Sequence, residues 1–142
     1  MSLTKTTQYA LKILNYMTVS GEESLTAITF HEKLKIPYPY LRRLLTKLSK
    51  SGLIVSGQGR GVGFTLAKKP EKIFLADILA AAGEKEQEYS CLFGFDSCLF
   101  SEKCIMHDKW TKANENIKKI LSSTHLGHLK NNNLKFTKIK KL

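Results

Sequence analysis

The sequence predicts a mainly α-helical fold with a small β-hairpin: a winged helix-turn-helix domain followed by a long C-terminal helix. Three observations predict it. Apolar residues recur at i, i+3, i+4, i+7 spacing in several separate segments. Two short β-prone runs, Leu53–Ser56 and Phe64–Ala67, flank a loop holding Gly57, Gly59, Gly61 and Gly63, which is hairpin grammar. The order is helix, helix, turn, helix, hairpin, then more helix.

Each element follows in turn. Ala10, Ile13, Leu14 and Met17 form one helical face, and Thr6 and Thr7 precede it as caps, so a first helix spans roughly 5–19. Ser20–Glu23 is a turn. A second helix lies within Ser24–Ile36, with Leu25, Ile28, Phe30 and Leu34 inward. Ile36-Pro37-Tyr38-Pro39 is a turn, because each proline biases its predecessor away from the α region. A third helix covers Tyr40–Ser51. Leu41, Leu44, Leu45 and Leu48 form its stripe, Arg42, Arg43, Lys47 and Lys50 point away, and Gly52 caps it. After the hairpin, Pro70–Gly83 reads as a fourth helix carrying Ile73, Leu75, Ile78 and Leu79. Ile105–Ser123 reads as a long fifth helix with a stripe of Met106, Trp110, Ala113, Ile117, Ile120 and Leu121. The expected organisation is a DNA-binding unit at 1–83, a cysteine-bearing loop at 84–104, a dimerisation helix at 105–130 and a basic, solvated tail at 131–142.

Charge narrows the function. The 142 residues carry a net charge of +11, which asks for a polyanionic partner, nucleic acid first. From Lys33 to Lys69 there are nine basic residues and no acidic one. A solvated face mixes both signs, so this block reads as a phosphate-facing surface. Arg42, Arg43 and Lys47 project opposite the leucine stripe, and Tyr38 and Tyr40 lie at the N-terminal end of their helix, where base edges are met. At the hairpin, the glycines allow positive φ and close backbone approach, and Arg60 stands at the loop tip. These glycines do not fit GxxxxGK[ST], which argues against nucleotide binding. No Ser/His/Asp set or paired carboxylates point to an enzyme. No run of about 18 apolar residues exists for a membrane span, and the N-terminus lacks a signal-peptide core, so a cytoplasmic location is expected.

Three cysteines, Cys91, Cys98 and Cys104, fall within fourteen residues, and none occurs elsewhere. An odd number in a chain of this kind argues against a disulfide framework. Three thiolates on one loop can converge as soft ligands for an iron–sulfur cluster or zinc; the other reading is buried apolar thiols. His107 follows Cys104 by three residues, so both can face one way at a helix start. His31, His125 and His128 sit in ordinary positions, outside this group. The long fifth helix either packs on its own domain or pairs with a second copy through Trp110, Ile117, Ile120 and Leu121; the second is favoured.

These features together resemble the IscR/NsrR (Rrf-type) family of winged-helix transcriptional regulators. The resemblance is carried by Tyr9-Ala10-Leu11-Lys12, Ile36-Pro37 with Tyr40-Leu41, Leu44–Leu48, Ser51–Ser56, Gly59–Ala67, Pro70–Ile73 and the three cysteines. Lys103–His107 with Trp110 is most similar to the IscR branch. The resemblance implies a homodimer on a roughly palindromic duplex operator, with the third helix in the major groove and the wing, including Ser56, Gln58 and Arg60, beside it. It further implies an iron–sulfur cluster, 2Fe-2S rather than 4Fe-4S, on Cys91, Cys98, Cys104 and His107, reporting iron–sulfur, redox or nitric oxide status. The alternative is a clusterless repressor sensing thiols or oxidants through its cysteines. Two positions depart from the pattern. Gln58 stands where the family usually has arginine, with Arg60 nearby to supply the charge. Gln8 stands where related sensors place an acidic ligand, which turns that role toward His107.

Overall fold

The structure, a computed structural model, is described for residues 3–58, 63–84, 91–93 and 104–131. Helix α1 runs Lys5–Val19. The Thr4 hydroxyl at its N-cap accepts the Thr7 N–H. Ala10, Ile13, Leu14 and Met17 are buried, as the spacing predicts.

Helix α2 runs Ala27–Leu34, within the expected Ser24–Ile36, and Thr26 caps it by accepting the Thr29 N–H. Leu25, Phe30 and Leu34 are buried as expected, and Ile28 is not. Leu25 is not helical; it forms a β-bridge to Phe64. With the helix starting at Ala27, Phe30 and Leu34 share the buried face, and Ile28 turns outward at 58% exposure. Lys35 ends α2 in the left-handed region, φ 57°. Ile36, wholly buried, then leads into α3, Tyr38–Lys50. This helix begins ahead of the expected Tyr40. Pro39 lies in its first turn, where a backbone N–H has no intrahelical acceptor, so the proline is accommodated rather than ending the turn.

Strands β1 (Ile54–Ser56) and β2 (Phe64–Leu66) pair antiparallel, with Ile54 opposite Leu66 and Ser56 opposite Phe64. The Leu25 bridge adds two backbone bonds, Leu25 N–H to Phe64 O at 3.1 Å and Phe64 N–H to Leu25 O at 2.7 Å. Gly63 permits that approach: a Cβ there would stand 2.4 Å from the Leu25 carbonyl oxygen. The glycine therefore serves contact within the protein; its φ is not positive, contrary to the expectation for the hairpin glycines. Gly59, Gly61 and Arg60 lie outside the described residues.

The expected fourth helix is two elements. Pro70–Lys72 is a 3-10 turn, and α4 spans Leu75–Ala82. Ile73, in extended conformation and wholly buried, separates them. Phe74 caps α4, its N–H bonded by the Asp77 carboxylate at 3.0 Å. Gly83 ends it at φ 85°.

Helix α5 runs Ile105–Ser123, as predicted. The chain then turns at Thr124, and α6, Leu126–Asn131, returns to pack on α1 and the 3-10 turn. Leu75 N–H donates to Thr124 O and Leu126 N–H donates to Ile73 O, stitching this return to the start of α4. Leu126 is buried in the main core, and Leu129 packs against it. The segment expected as a single dimerisation unit, 105–130, thus ends in a helix belonging to the first domain's core. Among the described residues, no helix is long and apolar enough to cross a membrane.

Candidate nucleic-acid interface

The leucine stripe of α3 (Leu41, Leu44, Leu45, Leu48) is buried, which fixes the outward direction of its other residues. Arg42 and Arg43 are exposed. Each lies over a tyrosine ring: the Arg42 guanidinium is 5.9 Å from the Tyr38 centroid and that of Arg43 is 6.0 Å from Tyr40. Such contacts hold a guanidinium in place while leaving its charge available. Tyr38 is itself held edge-on by His31, whose Nδ1 lies 2.6 Å from the Ile36 carbonyl in the turn.

Tyr40 has a different environment from the one expected of a base reader. It is half-buried, its ring meets Tyr9 of α1 edge-on at 5.5 Å, and its hydroxyl is bonded to Thr6. It ties α3 to α1. Lys47 is exposed with the arginines, as expected, but it is engaged within the protein. Its ammonium donates to the Ala82 carbonyl at 3.1 Å, at the C-terminal end of α4 where cations are favoured. Ser56 and Gln58 are exposed on the hairpin, on the chain that leads toward Arg60.

The end of α4 is bound to the start of α1 as well. The Glu84 carboxylate accepts from the Thr4 hydroxyl at 2.9 Å, from the Thr4 N–H and from the Thr7 hydroxyl. The Thr7 bond, against a smaller opposing effect of burial and aided by Thr4, holds the Glu84 carboxyl below its usual range. Glu84 is the point from which the cysteine segment departs. The contacts of Thr4 and Thr7 with Glu84, and of Thr6 and Tyr9 with Tyr40, were not legible in the sequence, because the partners are far apart in the chain.

Of the expected ligands, Cys91 and Cys104 are free thiols of intermediate exposure. Cys104 is the N-cap of α5, and His107, exposed, sits on the first turn with its N–H bonded to the Cys104 carbonyl at 2.9 Å. Cys98 lies outside the described residues. Among the described residues, no three His, Cys, Asp or Glu side chains are gathered as a metal site.

Helix α5 packs along α4 yet buries none of its residues fully. Trp110, Ile117 and Leu121 are half-buried and Ile120 is 50% exposed.

Comparison with known proteins agrees with this architecture. IscR of Erwinia tasmaniensis, a helix-turn-helix-type transcriptional regulator, is 30% identical over 133 residues, covering 93% of this chain and 80% of that protein. Among solved structures, CymR, the global cysteine regulator of B. subtilis, superposes with a TM-score of 0.75 at 22% identity, over 93% of this chain and 98% of that one. IscR of T. potens superposes with a TM-score of 0.69 at 21% identity, over 93% and 88% of the two chains. Residues 3–132 match the family described as Rrf2, iron-dependent transcriptional regulator, and the chain belongs to that family of transcriptional regulators.

Proposed function

We propose that the protein is a homodimeric, cluster-sensing transcriptional regulator that binds a roughly palindromic duplex operator. Helix α3 enters the major groove, and Ser56, Gln58 and Arg60 of the hairpin lie along the adjacent backbone or minor groove. The observation that carries this reading is the outer face of α3: Arg42 and Arg43 exposed, each held on a tyrosine, within an acid-free block of sequence. Lys47, engaged with α4, acts as a brace that sets the tilt of α3. The partly covered stripe of α5 pairs with the same stripe of a second copy, through Trp110, Ile117, Ile120 and Leu121.

The sensing part rests on the cysteines. The donor types suit iron: soft thiolates at Cys91, Cys98 and Cys104, with the His107 imidazole beside Cys104 at one helix end. The family description names iron. A 2Fe-2S cluster on these four residues supplies redox and nitric oxide reactivity when bound. Cluster binding by the segment that begins at Glu84 biases the placement of α1 and α3, to which α4 is tied. A second reading, a clusterless thiol or oxidant sensor, has its own support: Cys91 and Cys104 are partly exposed free thiols.

The test is anaerobic purification with iron and sulfide assays and a visible spectrum. Wild type, Cys98→Ala and His107→Ala are then bound to a duplex selected from a random library. Visible bands lost in Cys98→Ala, altered in His107→Ala and coupled to a change in affinity support cluster sensing. Iron-free wild type whose affinity responds to peroxide moves the assignment to the thiol reading. Equal affinity for every duplex, in every state, overturns sequence-specific regulation.

A further inference from the structure

Helix α1 carries two charged residues along Lys5–Val19, both basic, and they share one face with a tyrosine. The Lys5 ammonium lies 5.9 Å from the centre of the Tyr9 ring and that of Lys12 lies 5.7 Å from it. Residues 5, 9 and 12 follow the i, i+4, i+7 rule, so one helix side gathers both cations around a single ring. Among the described residues, no carboxylate is paired with either lysine. Two like charges drawn together without an acid repel each other. The ring quadrupole offsets part of that repulsion, and an anion relieves the rest.

This face is not isolated. Tyr9 meets Tyr40 edge-on at 5.5 Å, and Arg43 lies over Tyr40 at 6.0 Å. Lys5 and Lys12 over Tyr9, Tyr9 against Tyr40, and Arg43 over Tyr40 therefore form one connected strip of cations and aromatic rings across two helices. The Thr6 bond to the Tyr40 hydroxyl fixes the seam between them. A strip of this kind matches a polyanion with regularly spaced charges, not a single small anion.

We propose that the Lys5–Tyr9–Lys12 face of α1 is a second contact surface for the sugar–phosphate backbone of duplex DNA, flanking the stretch read by α3. This rests on the regulator reading above. The lysines are compact point charges at the helix surface and contact phosphates rather than base edges, so the surface adds affinity and fixes the approach of α3 without selecting sequence. Tyr40 is a positioning residue that joins the α1 and α3 portions of the strip.

The experiment uses the full chain and two probes, a duplex selected from a random library and an unselected duplex of the same length. Binding of wild type, Lys5→Gln/Lys12→Gln and Arg43→Gln is followed by fluorescence anisotropy between 50 and 200 mM salt, with circular dichroism melting of each protein. The double lysine variant is expected to lower the salt slope by about two per bound protomer, so that about tenfold less affinity is lost across this range. Its ratio of affinities for the two probes stays at the wild-type value. A wild-type slope in the double variant overturns the proposal. So does a changed ratio between probes, which places the lysines on bases. Wild type that binds neither duplex overturns the regulator reading and this surface with it, whereas a slope altered only in Arg43→Gln overturns this surface alone.

Discussion

Replacing Gly63 by alanine tests whether the hairpin is anchored by the Leu25 bridge. A Cβ at position 63 would stand 2.4 Å from the Leu25 carbonyl oxygen, 2.5 Å from its carbon and 2.6 Å from the Ser24 Oγ. Ordinary contact needs about 3.5 Å, so the two backbones must part by about 1 Å. Such a displacement carries the Leu25–Phe64 pair, at 3.1 and 2.7 Å, beyond good hydrogen-bond length. Each bond contributes about 0.5–1.5 kcal/mol, which puts the loss near 2 kcal/mol. Gly63 has no positive φ, so backbone strain adds nothing to this figure. At about 2–4 °C per kcal/mol for a chain of this length, the melting midpoint should fall by about 4–8 °C. Calorimetry measures the midpoint, and amide exchange at Leu25 and Phe64 reports where the loss occurs. A midpoint within about 1 °C of wild type, or a fall without faster exchange at those two amides, would refute the reasoning.

Three further perturbations follow from the same contacts. The Glu84 carboxyl is held low by Thr7 and Thr4, so its stabilisation is present above the unfolded carboxyl value and disappears as pH falls through the folded one. Glu84→Gln should melt below wild type at neutral pH, and the two midpoints should converge in acid; a pH-independent gap would refute the titration. At the start of α6, the His125 N–H donates to His128 Nδ1 at 3.2 Å and the His128 N–H donates to His125 Nδ1 at 3.3 Å, a reciprocal cap. His128→Ala should cost about 1 kcal/mol by urea titration, and His128→Glu should restore most of it; equal losses in both would deny the cap. Ile117→Glu should convert the protein to a monomer by light scattering, since each buried side chain of this size is worth about 1.5–3 kcal/mol and counts twice in a symmetric pair; a persistent dimer would move the interface off α5.

Much of this architecture was legible because it is periodic. The stripes of α1, α3 and α5 and the paired strands follow from spacing alone. Spacing was less informative where a residue served two structures. Leu25 fits a helical stripe, but its backbone pairs with Phe64, which moves the start of α2 and exposes Ile28. Ile73 fits a helical stripe too, yet it is an extended residue between the 3-10 turn and α4. Proline rules gave the α2–α3 turn but placed the start of α3 too late, because Pro39 falls in the first turn. The arginines of α3 were readable as outward; the use of Lys47 on Ala82 and of Tyr40 on Thr6 was not, since each depends on how two helices meet.

The return of α6 onto α1 makes the segment from Glu84 to Thr124 an insertion within one core, closed at both ends by that core. Nineteen of its residues, Ile105–Ser123, are helix α5, which packs along α4. Besides the packing of α5 on α4, the segment has rigid contacts at its two exits: Ala82 and Glu84 on one side, Thr124 and Leu126 on the other. The first exit leads to α3 and the start of α1, the second to the start of α4. A single event between them pulls on α3 and on the start of α4 at once, as a strap does when tightened from its middle.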